Sequence, residues 1–312
     1  MDKVLVKKSS LDKKTITDKI FRGFFMSVCI LCAAVIIMIV AFITIKGIYP
    51  FFKEYEINGQ FYKISIIEFL SGDKWNFAPN HYGAGYIIIN TIYITILALL
   101  IAVPIAVLSA LFVVRIAPKN ISKIFQTVIE LLASVPSIIY GLFGQAYLTK
   151  MVTNISSLFG VQTLGGQSVI TTTIVLGMMI FPTIAMVSIN SIKAVKNELV
   201  LGSLALGAST TQTNFKVVLK GAKNGIFSGV ILGVGRALGE ATAVSKVCGN
   251  AQVGPSFSLF DTTSTITTTI LSGFNEASGM AYDVKFSLGV VLILIIISTN
   301  LILNYVKKKV GN

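Results

Sequence analysis

Polar and apolar positions alternate along this chain on a long scale. Six stretches are almost wholly apolar, at 24–45, 86–112, 124–148, 169–190, 225–247 and 286–305. A helix needs about 20 apolar residues at 1.5 Å each to cross the hydrocarbon of a bilayer, and each stretch is long enough. None shows the two-residue alternation of a barrel strand, and lipid requires backbone groups to be paired within the segment. The pattern predicts an all-α polytopic membrane protein with six transmembrane helices. It divides into a basic segment 1–23, a first transmembrane helix 24–45, a loop 46–85, a transmembrane core 86–305 that includes a polar segment 191–224, and a tail 306–312. The first stretch follows basic residues, as a signal peptide does. It exceeds a signal core of about 7 to 15 residues and lacks a small-x-small cleavage pattern, so it reads as a retained anchor.

Composition agrees with that picture: 54% of the residues are hydrophobic, 12% are charged, and the mean hydropathy is +0.81. Those values exclude an ordinary soluble enzyme. The net charge of +13 would point to nucleic acid in a soluble protein, but position changes its meaning. Eighteen of the 26 basic residues fall in 1–23, 113–123, 191–224 and the tail, on one side of the predicted membrane. Both termini are therefore expected in the cytoplasm, with the basic face against anionic lipid and no nucleic-acid partner. The loop 46–85 is then external; its aromatic residues, Trp75 among them, form either a headgroup belt or a docking surface. His81 stands without other ligands at metal spacing, so no metal is expected. Cys29, Cys32 and Cys248 read as small packing residues, and Asn154 opens a sequon of a kind common by chance.

No phosphate loop G-x-x-x-x-G-K-[ST] occurs, and no nucleophile, base and orienting group come together, so neither a catalytic residue nor a cofactor is expected. The segment 191–224 has helical chemistry. Val195, Leu199, Gly202 and Leu206 make one stripe, Gly207 suits a left-handed helix end, and Ser209 with Gln212 matches a capping box. Phe215, Val218, Leu219 and Ala222 continue a second apolar face. Such a helical hairpin either lies on the headgroups or plugs into a cytoplasmic motor. Arg236 is expected at the midpoint of the fifth span, and Glu240 four residues later shares its helix face and can pair with it, at small intrinsic benefit because Arg comes first. Charge at that depth either fixes bundle register or lines a substrate path, and the path is the favoured reading. Gly229, Gly233, Gly235 and Gly239 form small-x-x-x-small ladders suited to close helix packing. In the third span Gln126, Glu130, Ser134 and Ser137 make a polar stripe beside Pro136, which either packs against a helix or lines a path.

Three motifs carry a resemblance: ELLASVPSIIYGLFG at 130–144, SLALGAS at 203–209 and GRALGEATAV at 235–244. From Tyr86 onward the chain resembles the permease subunits of bacterial phosphate-specific ABC importers, PstC type, with a MetI-like type I bundle. The resemblance implies import of inorganic phosphate across the inner membrane. It also implies a homologous second permease (PstA type), a cytoplasmic ATPase dimer (PstB type) and an external phosphate-binding protein (PstS type). Arg236 and Glu240 match residues the family associates with phosphate passage. The element that docks on the ATPase corresponds to Gly202, Ser203, Ala205, Gly207, Ser209 and Gln212. Leu201, Gly202 and Ser203 stand where its usual Glu-Ala-Ala opens, and Lys220 where its Pro closes. A permease for another oxyanion such as sulfate or molybdate, and a non-transporting receptor or scaffold, are the competing readings.

Overall fold

The computed structural model describes residues 2–57, 59–76 and 81–311, with backbone alone for 2–17 and 310–311. The side chains of most of the basic segment 1–23 and of the end of the tail lie outside the described residues. Helix α1 runs Asp2–Ile48. A small segment follows, with hairpin strands β1 (Tyr55–Ile57) and β2 (Gln60–Tyr62), helix α2 (Ile66–Ser71), and strands β3 (Trp75–Asn76) and β4 (His81–Tyr82). Then come α3 (Gly85–Leu111), α4 (Lys119–Ser134), α5 (Ser137–Phe143), α6 (Thr149–Leu158), α7 (Val169–Lys193), α8 (Asn197–Ala205), α9 (Thr210–Gln212), α10 (Leu219–Gly239), α11 (Ile266–Leu271) and α12 (Gly279–Gly311). Stretches of π-helix, Gly144–Leu148 and Thr213–Val218, make α5 continuous with α6 and α9 with α10.

Five helical segments, 18–51, 85–116, 169–193, 210–239 and 279–309, are long and apolar enough to cross a membrane. The predicted third span is not one straight helix. Lys119–Ser134 and Ser137–Leu158 meet at a bend of 95° and make a sixth crossing only if taken together. Pro136 causes the break by crowding the residue before it: Val135 takes ψ 127°, extended backbone that ends α4. Pro104 and Pro182 lie inside α3 and α7 without interrupting them.

The main core lies among α3, α7 and α10, with Ile94, Ala98, Met179, Ile180 and Ile184 sealed from solvent. Helices α7 and α10 run antiparallel along a glycine ladder: Gly225 faces Ser191, Gly229 faces Val187, and Gly233 faces Ile184. A β-carbon at Gly233 would lie 2.8 Å from the Ile184 side chain, so this approach needs glycine. The ladder stops there, because a β-carbon at Gly235 or Gly239 would meet no atom of this chain within 4 Å. Within this chain those two glycines have no neighbour to pack against. Helix α1 touches α12 near its end, where Ser287 donates 2.7 Å to the Gly47 carbonyl, and its remaining apolar length is exposed, Cys29 and Cys32 included.

Trp75 is no member of an interfacial belt. It is 3% exposed, stacks edge-on with Tyr82 at 5.2 Å, and donates its backbone N–H to the Gln252 carbonyl. The segment between α1 and α3 is thus a packed cap joined to the loop before α11. Tyr55 fastens it to α12 by donating 2.8 Å to the Asp283 carboxylate, and burial, reinforced by that carboxylate, holds the phenol well above its usual range.

Candidate functional site

The breaks in two spans come together. Helix α10 ends at Gly239, and Glu240 adopts extended backbone with ψ 121°. The fifth span is therefore not helical through Val247, and Arg236 lies in the last turn of its helix instead of at the midpoint. Its depth in the bundle is nonetheless central: Nη1 donates 2.9 Å to Thr183 Oγ1, near the middle of α7. A cation in the last turn also opposes the negative end of the helix dipole.

Arg236 and Glu240 do not form the pair their spacing allows. The helical register that would put them on one face is lost at Gly239, and no ion pair joins them among the described residues. The Glu240 carboxylate turns back along its own chain. It accepts the Ala243 N–H at 2.9 Å and the Thr242 hydroxyl at 3.0 Å, capping the turn that follows. With the Thr242 proton used there, Ser137 is the donor in its 3.1 Å bond to Thr242. Ser137, at the start of α5, thereby joins the break after α4 to the break after α10. Gly141 lies so close to Ala243 that a β-carbon would come within 2.8 Å of its Cα. Irregular backbone inside a membrane protein must be paired by protein or line a cavity, and both apply here. Tyr140 pairs the freed Leu132 carbonyl at 2.8 Å, Thr267 pairs that of Glu240 at 2.7 Å, and a cavity of about 500 Å³ opens beside Ala241 and Thr267.

The other polar residues of the third span divide. Ser134 donates to the Leu131 carbonyl, while exposed Glu130 accepts from Gln126 at 2.9 Å, which in turn accepts from Lys193. This trio lies away from the break at Ser137. Thr183 carries no spacing signal, as an isolated hydroxyl in an apolar helix, and Thr267 is one of three consecutive threonines. Tyr140 and Thr242 lie within the motifs at 130–144 and 235–244, where nothing in the spacing marks them.

Residues 102–312 match the family of binding-protein-dependent transport system inner membrane components. The chain belongs to that family. The permease is 34% identical over 297 residues to the probable ABC transporter permease protein YqgH of Bacillus subtilis (strain 168), covering 94% of this chain and 92% of that one. It is 36% identical over 241 residues to the phosphate transport system permease protein PstC of Pasteurella multocida (strain Pm70), covering 73% and 75%. Among solved structures it shares the fold of the inward-facing MetNI methionine ABC transporter, with TM-score 0.53, 17% identity, and coverage of 72% and 93%. A bacterial alginate ABC transporter gives TM-score 0.52 at 17% identity, covering 72% and 78%. The protein is thus an ABC importer permease of MetI-like fold, a membrane transport component of a family whose members are not enzymes.

In the polar segment of the permease, Gly207 has φ +83°, and the N–H groups of Gly207 and Ala208 return to the carbonyls of Leu204 and Ser203, a Schellman closure of α8. Ser209 and Gln212 exchange both capping-box bonds, and Ser203 meets Thr213 at 3.0 Å. Gly202, Ala205 and Gly207 are exposed. Leu199 and Leu206 of the predicted stripe also face outward, Leu206 at 91% exposure, as does Leu201, whereas Val195 lies before α8 and packs against the core.

Proposed function

We propose that this permease forms, with a homologous PstA-type permease, the path for inorganic phosphate import, in a multi-pass arrangement with both termini in the cytoplasm. A PstB-type ATPase dimer drives it, and a PstS-type binding protein delivers phosphate. The observation that carries this reading is Arg236, held by Thr183 at mid-bundle beside two broken helices. Helix breaks of this kind are where transporters place substrate sites. One guanidinium donor is engaged by Thr183; two parallel donors suit a phosphate, a geometry that lysine lacks. Glu240 serves as the cap that keeps the α10 end open, with Ser134, Pro136 and Ser137 shaping the facing break. The relatives' names favour phosphate over sulfate or molybdate. Reconstitution with the neighbouring ATPase and binding protein should give ATP-dependent phosphate uptake that excess sulfate or molybdate does not compete away. Equal competition by either anion would defeat the assignment.

The exposed apolar residues around the bend at Gly207 form the ATPase docking element in this reading, with Gly202, Ser203, Ala205, Ser209 and Gln212. Gly207→Val should weaken co-purification of the ATPase severalfold, because a β-branched residue in left-handed backbone costs about 1–2 kcal/mol and will reshape the bend. Unchanged co-purification would count against the docking assignment.

A further inference from the structure

Lys285 lies in the second turn of α12 and is 1% exposed. A buried ammonium group demands hydrogen-bond partners. It donates to the carbonyls of Thr269 and Ile270, at 3.3 Å each, and to that of Ser272. These carbonyls close α11, a helix of six residues that leaves its last carbonyls without partners of their own. Lysine is well suited to that end by charge and by donor number, and here it arrives from another helix. At its opposite end α11 is held twice more: the Ile266 N–H donates 3.0 Å to Thr91 Oγ1 on α3, and Thr267 Oγ1 donates 2.7 Å to the Glu240 carbonyl. Thr267, Ile270 and Leu271 also wall the cavity beside Ala241. One short helix therefore connects a buried cation on α12 to the open end of α10, four residues from Arg236.

We propose that Lys285 is a positioning residue for the translocation path: by closing α11 it holds Thr267 where it fixes the Glu240 carbonyl, and so holds the unwound end of α10. The proposal rests on the reading of that break as the path. Without the ammonium, the carbonyls that close α11 lose their donor, the buried one of Thr269 among them, and α11 shifts to find replacements. A hydroxyl bond at 2.7 Å does not survive a shift of an ångström.

The test uses the full-length chain in phospholipid nanodiscs, with hydrogen–deuterium exchange as the first readout. Lys285→Met should raise exchange about tenfold at 266–272 and also at the Ala243 N–H, which Glu240 caps. Lys285→Arg, whose donors reach the same carbonyls, should restore protection at both places. In the reconstituted transporter, Lys285→Met should lower phosphate uptake about tenfold per assembled complex, with ATPase co-purification unchanged. Thr267→Val should give the same loss, and the double variant no further loss. Faster exchange at 266–272 with Ala243 unchanged would overturn the proposal, as would additive losses in the double variant. If Lys285→Met does not fold, Thr267→Val alone must still loosen Ala243. A parent transporter that imports no phosphate would defeat the path reading only, since exchange is measured without substrate.

Discussion

Arg236→Ala should reduce phosphate uptake by the reconstituted transporter about a hundredfold or more, while the permease still assembles with its ATPase. A hundredfold corresponds to about 2.7 kcal/mol, and a charge-assisted hydrogen bond contributes about 1.5–3 kcal/mol, so losing a two-bond contact with phosphate suffices. Arg236→Lys keeps the charge without the paired donors and should fall between, with about a tenfold loss. Thr183→Val removes the acceptor that orients the guanidinium at 2.9 Å and should cost less than either. Near-normal uptake by both Arg236 variants would exclude a role in passage. Loss of assembly by Arg236→Ala would instead identify the guanidinium as a clasp between α10 and α7. Glu240→Gln makes a useful contrast: the amide oxygen can still accept from Ala243 and Thr242, so a capping role predicts a small loss and a role in charge a large one.

The parts of the fold legible in the sequence are those set by solvent. Apolar length located the helices because the hydrocarbon thickness is a strong constraint, and Val169 begins α7 where the apolar run begins. The bend of the polar segment was legible for a local reason: Gly207 and the Ser209–Gln212 box act within a few residues. What apolar length conceals is interruption. Residues 124–148 and 225–247 have the composition of continuous spans, yet Val135 before Pro136 and Glu240 after Gly239 adopt extended backbone. The pairing of Arg236 with Glu240 failed because a four-residue spacing implies contact only while the helix persists. The glycine ladder was legible as far as Gly233, but spacing alone does not say which face a neighbour covers, and Gly235 and Gly239 have none within this chain. The burial of Trp75 is not legible locally, because an aromatic near a span is equally suited to a headgroup, a docking surface or a small packed core, and long-range pairing with Gln252 selects the last.

Gly141→Val should cut transport more than tenfold, because it acts on the joint between the two breaks. A β-carbon at Gly141 would lie 2.8 Å from the Cα and 2.9 Å from the carbonyl oxygen of Ala243. Both are backbone atoms with no rotamer to change, so α5 and the turn after Glu240 must separate. Overpacking of this kind costs about 1–3 kcal/mol, which a membrane bundle can absorb while the site inside it cannot. Separation by even an ångström breaks the 3.1 Å bond from Ser137 to Thr242, and Thr242 then no longer steadies Glu240. Uptake should fall more than tenfold per assembled complex, since misplacement of about 1 Å suffices for losses of that size. Gly235→Ala is the matched control. Its added methyl group meets nothing in this chain and alanine favours the helix, so it should not destabilise the isolated permease, and any loss of uptake would place the second permease against that face. Normal uptake by Gly141→Val would mean that the two breaks work independently, and the path would then have to be sought along α10 and α7 alone.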